Sequence, residues 1–449
     1  MWNYDPVFFS RLLTELTLVF HIIYATIGVG VPLMIAIAQW IGIRKNDEHY
    51  ILLARRWTRG FVITVAVGVV TGTAIGLQLS LLWPNFMEVA GQVIALPLFM
   101  ETFAFFFEAI FLGIYLYTWD RFKDQKKHFL LLIPVAIGSS ASAFFITVVN
   151  AFMNTPQGFE MKDGMITNIQ PLVAMFNPAM PTKVAHVLTT AYMTSAFVLA
   201  SIAAYHLLKG NQHLYHKKAL YLTMKAAFIF SLATMVAGDL SGKFLAEYQP
   251  EKLAAAEWHF ETDTHAPLIL FGTLNEKNEV ENGIKIPYAL SILAHNTPSA
   301  EVIGLNDIPE DERPPLYIHY LFDLMVVIGV WLTIISGLYW FAVKKGWSFA
   351  ANKWFMNLVI LSGPLAMIAI EIGWFFAEMG RQPWILRGYM KTADAATSAG
   401  YVDVLLIVFS AVYIVLALVS VTVLIKMFKQ NPVERELEDL SLEKKVKYL

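Results

Sequence analysis

The chain has no cysteine among its 449 residues. Disulfides, thiolate-held zinc, iron–sulfur clusters and covalent CxxCH haem attachment are therefore excluded, and any metal must be held by His, Met or carboxylate. Charge is scarce as well. Only 15% of the residues are charged and the formal net charge is −2, so nothing points to nucleic acid as a partner. A soluble domain carries about 25% charged residues; this chain is instead 57% hydrophobic, with a mean hydropathy of +0.55. No basic residue precedes Arg11 and no small-residue cleavage site follows the first apolar run, which predicts a first span that is retained rather than removed as a signal peptide. The sequence has no internal repeat and no low-complexity run, so an inverted-repeat transporter gains no support.

What the sequence has is long apolar runs. Windows of about 20 apolar residues, enough to cross the hydrocarbon core, recur at 12–41, 60–83, 93–118, 129–153, 183–208, 219–244, 317–343, 355–379 and 401–427. Backbone in lipid must satisfy its own hydrogen bonds, so the expectation is an all-α polytopic membrane protein, a bundle of nine transmembrane helices. The loops after spans one, three, five and seven hold fifteen Lys and Arg, against five in the short loops on the other side. That bias predicts the N-terminus outside and the C-terminus cytoplasmic. The chain then divides into spans one to six (1–244), a long extracytoplasmic loop (245–316), spans seven to nine (317–430) and a charged cytoplasmic tail (431–449). The loop is polar and broken by Pro250, Pro267, Pro287, Pro298 and Pro314. A structureless connection of that length is usually functional or disordered.

Ionisable groups inside a span are costly and mark functional sites by default. They are His21, Glu101, Glu108, His186, Lys225, Asp239, Asp323, Glu371 and Glu378. Seven residues make nearly two helical turns, so Glu101 and Glu108 share one face, with Glu108 about 10 Å deeper, and Glu371 and Glu378 share another. Plainer readings apply to several of these groups. Lys225 reads as a snorkelling surface lysine, and Asp239 with Lys243 as a local helix pair. His206, His213, His216, His259, His265 and His295 read as solvated. His21 and His186 read equally as interhelical hydrogen-bond partners or, with no cysteine to compete, as axial ligands of b-type haem. The stripe Gly68, Gly72, Gly76 lets a flat macrocycle or, more simply, a neighbouring helix come close.

One motif is specific. Met379-Gly380-Arg381-Gln382-Pro383-Trp384, preceded by Glu371-Ile372-Gly373-Trp374, resembles the signature of subunit I of the cytochrome bd quinol oxidases. The resemblance covers essentially the whole chain, including Phe9-Ser10-Arg11, His21 with Gly28, the Glu101 and Glu108 pair, and a long loop before span seven.

The resemblance implies two b-type haems, one low-spin and one high-spin, and one d-type haem. His186 and Met325 match the axial pair of the low-spin haem. His21 and Glu378 match the axial ligands of the other two, with the order between them open. Glu101 matches a carboxylate beside the oxygen-reducing centre and is a candidate iron ligand, and Glu108 matches a group on the proton path. Trp374 and Arg381 match residues at the haem edges, and Lys252 and Glu257 the pair implicated in quinol binding. The chain is thus expected to be a quinol:oxygen oxidoreductase of the prokaryotic cytoplasmic membrane, working with a second membrane subunit, with the presence of small accessory subunits left open. It would take protons for O2 reduction from the cytoplasm and release quinol protons outside. Its loop is shorter than in some members of the family, which leaves the quinone type open. The rival readings are a proton- or ion-coupled transporter using Glu101, Glu108, Glu371 and Glu378, and a membrane anchor without chemistry. Both would be colourless when purified.

Overall fold

The nine apolar runs are helices in the computed structural model, which describes residues 4–122, 124–162 and 164–447, with side chains to Leu440. Among the described residues, nine helices are long and apolar enough to cross a membrane: Pro6–Lys45, Glu48–Leu82, Pro84–Tyr117, Gln125–Asn154, Met180–Leu208, Leu214–Tyr248, Ile318–Lys345, Lys353–Met379 and Val402–Gln430. These are spans one to nine below. Lys123, counted among the loop cations, and residues 448–449 of the tail lie outside the described residues.

The helices overrun the apolar windows because water does not end a helix; capping does. Span one starts where the Asp5 side chain accepts from the Val7 and Phe8 N–H groups, with Pro6 in the first turn. It ends at Asn46, whose left-handed backbone turns the chain. Span two begins at Glu48, twelve residues before its apolar window, because the Asp47 side chain caps it there. Forty residues of helix measure about 60 Å, so span one extends well beyond a hydrocarbon core of about 30 Å.

Small residues set the closest approaches. A Cβ at Gly30 of span one would lie 2.2 Å from Ser195 Oγ of span five, and one at Gly363 of span eight 2.3 Å from Ser201 Oγ of the same span five. These contacts let spans one and eight pack tightly on span five. Span nine is attached differently. Only Val402, Tyr413 and Ser420 are buried on it, and its fixings are hydroxyl bonds from Tyr413 to Thr17 (2.9 Å) and between Ser420 and Tyr24 (2.8 Å). The tail forms a helix, Val433–Lys447, and Glu436 ties it back to span two through Arg56 (2.8 Å) and Arg59 (2.9 Å).

The connection between spans six and seven is not structureless. It holds the short helices Pro250–Ala256 and Ala289–His295, and three antiparallel pairs: Asp263–Thr264 with Glu301–Val302, Leu268–Leu270 with Ile284–Ile286, and Thr273–Leu274 with Val280–Glu281. Leu253, Ala254, Leu290 and Leu305 of this segment share one core with Ile318 and Phe376 at the ends of spans seven and eight. A polar average conceals enough Leu and Ala to dock the segment as a cap on the bundle.

Candidate functional site

Each of three candidate axial side chains faces a glycine on a neighbouring helix. A Cβ at Gly72 would stand 3.2 Å from the His21 ring, one at Gly238 3.8 Å from the His186 ring, and one at Gly373 3.1 Å from Met325 Sδ. Two further features concern the nitrogens. Thr71 donates its hydroxyl proton to the Val67 carbonyl at 2.9 Å, so its oxygen accepts from His21 Nδ1 at 2.9 Å. That assigns the proton to Nδ1 and leaves Nε2 its lone pair. His186 Nδ1 is buried without a hydrogen-bond partner, as are Trp331 Nε1 and both carboxyl oxygens of Glu371. Orphaned polar atoms in a buried interior call for a partner the polypeptide does not supply, and a prosthetic group with polar edges fits that need. No cluster of three or more His, Asp or Glu able to hold a bare metal ion occurs among the described residues. The donors suit a metal brought in by a macrocycle.

The carboxylates of span three lie against span four. Ser142 donates to Glu101 Oε1 at 2.8 Å, and a Cβ at Gly138 would lie 3.0 Å from that of Glu108. Farther along span four, Asn150 donates to Glu378 Oε1 at 2.6 Å and accepts from Lys183 Nζ at 2.9 Å. From Gly138, Ser142 is about 6 Å and Asn150 about 18 Å along the axis, so span four meets Glu108, Glu101 and Glu378 in that order along its length, with Asn150 about 120° around the helix from Gly138. Glu378 Oε2 pairs with Arg381, which also donates to the Ile385 carbonyl at 2.8 Å. Glu378, Trp374 and Glu371 line one narrow cleft against Glu15 and Ile22 of span one.

Lys252 and Glu257 are not brought together. Five residues turn a helix by about 140°, and the two side chains leave the short helix Pro250–Ala256 and its cap in different directions. Lys252 is buried over the Phe376 ring, 4.5 Å from its centroid, and donates to the Ala377 carbonyl at 3.1 Å. Burial lowers its ammonium to about 8, with Glu378 pulling the other way. Glu257 is fully buried, and no side chain bonds either carboxyl oxygen; the one donor near it is the Ile269 backbone N–H, too loosely placed for a regular hydrogen bond. Burial first, and the Asp323 carboxylate second, push it well above the usual carboxylate range.

Several groups in these clusters escaped the sequence reading. Glu15 sits near the end of span one and drew no notice there. Asn150 and Ser142 carry no charge, and His319 is the second residue of span seven. Other expectations divide. Lys225 is exposed, and Asp239 pairs with Lys243. His216 and His259 are buried rather than solvated, the first stacked on His206 and the second bonded to the Val302 carbonyl at 3.0 Å.

Comparison with known proteins gives consistent results. The profile of the family "Cytochrome bd terminal oxidase subunit I" matches residues 9–432. The chain is 43% identical to the Bacillus subtilis "Putative cytochrome bd menaquinol oxidase subunit I" over 440 residues, 96% of this chain and 99% of the relative. It is 31% identical to the "Cytochrome bd ubiquinol oxidase subunit 1" of the same organism, over 94% of this chain and 93% of that one. The solved bd oxidase from Geobacillus thermodenitrificans matches with a TM-score of 0.93 and 77% identity, covering 96% of this chain and all of the matched one.

Proposed function

Because the chain belongs to the cytochrome bd terminal oxidase subunit I family, we propose that it is the haem-carrying subunit of a quinol oxidase in a prokaryotic cytoplasmic membrane. It oxidises membrane quinol and reduces O2 to water beside a second membrane subunit. The observation that carries this reading is the glycine opposite each of His21, His186 and Met325, together with the buried polar atoms left without partners at His186, Trp331 and Glu371. The transporter and anchor readings explain neither.

In this reading His186 and Met325 hold a low-spin b haem, and His21 and Glu378 hold a high-spin b haem and a d haem between them. Bound haem supplies electron transfer and the reduction of O2. The polypeptide supplies position and protons. Trp374 and Arg381 would flank the haem edges, and Arg381 Nε, buried and unpartnered, would be free to donate to a propionate. Quinol gives up two electrons and two protons, while O2 takes four of each. Glu257 is the base for the quinol proton, since a buried carboxyl without partners binds a proton readily. Lys252 contributes a donor at the neighbouring end of span eight. Glu108, then Glu101 with its Ser142 bond, form the relay that brings protons to the oxygen-reducing side, and Glu101 would be a further candidate ligand for the iron there. With the N-terminus and the cap outside, protons consumed come from the cytoplasm and quinol protons leave outside. One charge moved across the membrane is worth about 2.3 kcal/mol per 100 mV.

Spectra test the ligand set. His186→Leu should abolish the low-spin b signal in the reduced-minus-oxidised spectrum, and Met325→Leu should convert it to high spin. An unchanged spectrum in either variant would refute that ligand.

A further inference from the structure

The proposed base Glu257 has no side-chain partner, and apart from the Ile269 N–H beside its carboxyl its aim depends on the backbone that carries it. That backbone is held from both sides by one imidazole. His319 is fully buried. Its Nδ1 lies 2.7 Å from the carbonyl of Ala256, the residue before Glu257. Its ring stacks on the indole of Trp258, the residue after Glu257, with centroids 4.0 Å apart and planes inclined by 22°. Trp258 needs that support, because its φ of +46° lies in the left-handed region that L residues rarely adopt. Its Nε1 adds a bond to the Leu316 carbonyl at 2.8 Å.

The other edge of the imidazole reaches a second loop segment. His319 Nε2 is 3.3 Å from the Phe271 carbonyl and 3.3 Å from Asp323 Oδ2, and the same Asp323 oxygen accepts from the Phe271 N–H at 2.5 Å. Two residues one turn apart on span seven therefore grip the cap at 256–258 and at 271. Met325 follows His319 by six residues, about 9 Å along the axis.

We propose that His319 is a positioning residue of the quinol site, which holds Glu257 in reach of the quinol hydroxyl and in fixed register with the ligand-bearing turn of span seven. The proposal rests on the reading of Glu257 as the quinol base. Its function is to keep the proton acceptor and the electron acceptor for one quinol on a single rigid element. A misplacement of about 1 Å at a reacting group can cost about 100-fold in rate, which is the scale on which such a grip matters.

The test uses the assembled oxidase, with oxygen consumption driven by quinol and, separately, by a one-electron dye that bypasses the quinol site. His319→Ala should lower quinol-driven kcat/KM at least ~10-fold and leave dye-driven turnover within ~2-fold. Haem content should be normal, and amide exchange at 256–258 should be faster. His319→Asn places an amide nitrogen near the position of Nδ1 and should restore most of the quinol activity; His319→Gln, whose nitrogen falls nearer Nε2, should not. Equal loss with both donors overturns the proposal, as does His319→Asn performing no better than His319→Gln. That last comparison decides the matter if His319→Ala fails to assemble. Glu257→Gln, assayed alongside, separates the two claims. Full quinol activity in that variant removes the base assignment. Loss there with an unaffected His319→Ala removes only the positioning role.

Discussion

Glu257 and Glu378 are carboxylates at the same end of the bundle, and their surroundings are opposite. Glu378 has a partner for each oxygen, Arg381 on one and Asn150 on the other, with Lys183 behind Asn150. Glu257 has no side-chain partner on either oxygen, only the loosely placed Ile269 N–H nearby. A carboxylate gripped by a cation and an amide is fixed in place, while a buried one without side-chain partners is a place for a proton to arrive and leave. The pair separates two tasks that composition alone would merge: anchoring, which demands saturation, and proton transfer, which forbids it.

The contrast breaks most sharply at Glu257. Glu257→Gln should cut quinol-driven oxygen consumption by about 100-fold or more, the scale of a lost general base, yet it should not destabilise the protein. The folded-state pKa of Glu257 is raised above its ordinary 4.5. Between those two values the native state keeps the proton that the unfolded chain has released, so wild-type stability falls as pH rises through that window. Glutamine lacks this loss. The melting temperature of the variant should therefore gain on that of the wild type as pH rises from about 4.5, and a gap that narrowed would contradict the account.

Glu378→Gln should do the reverse. Removing one member of a buried pair leaves Arg381 uncompensated, a loss of about 3–5 kcal/mol read as a lower melting temperature and yield, and losing a proposed haem ligand should lower haem content as well. Arg381→Met added to it should recover part of the loss; additive damage would mean that the two side chains are not one unit. The smallest effect belongs to the strap beside them. Arg387 grips Glu251, the neighbour of Lys252, through two bonds of 2.7 and 3.0 Å. Arg387→Ala should cost about 1 kcal/mol and raise the quinol KM a few-fold, and exchanging the two charges should restore it. A fall in kcat at constant KM would place the strap elsewhere in the cycle.

Much of the architecture was legible in advance because lipid imposes a length and an apolar composition that any chain must display. All nine spans were found that way. Their ends were not, since Asp47 caps span two outside the apolar window. The fold of the cap was not legible either. Strands of two or three residues are too short to reveal a period of two, and its apolar residues are diluted by charge. Within the candidate site, the shared face of Glu101 and Glu108 follows from helical spacing, and both indeed lie against span four. The parting of Lys252 from Glu257 was also implicit in a five-residue separation, but a pair carried over by resemblance hid it. His319 gave no signal, because nothing in a sequence says which carbonyls an imidazole will meet.

None of the proposed haem, quinol or proton groups resides on span nine, which two hydroxyl contacts attach to span one. Translation thus delivers the entire chemical inventory before the last helix leaves the ribosome. That helix closes the barrel of staves without contributing to the contents, and its outward Ile, Leu and Val side chains can drift in sequence so long as they stay greasy enough for a bilayer or a neighbouring subunit.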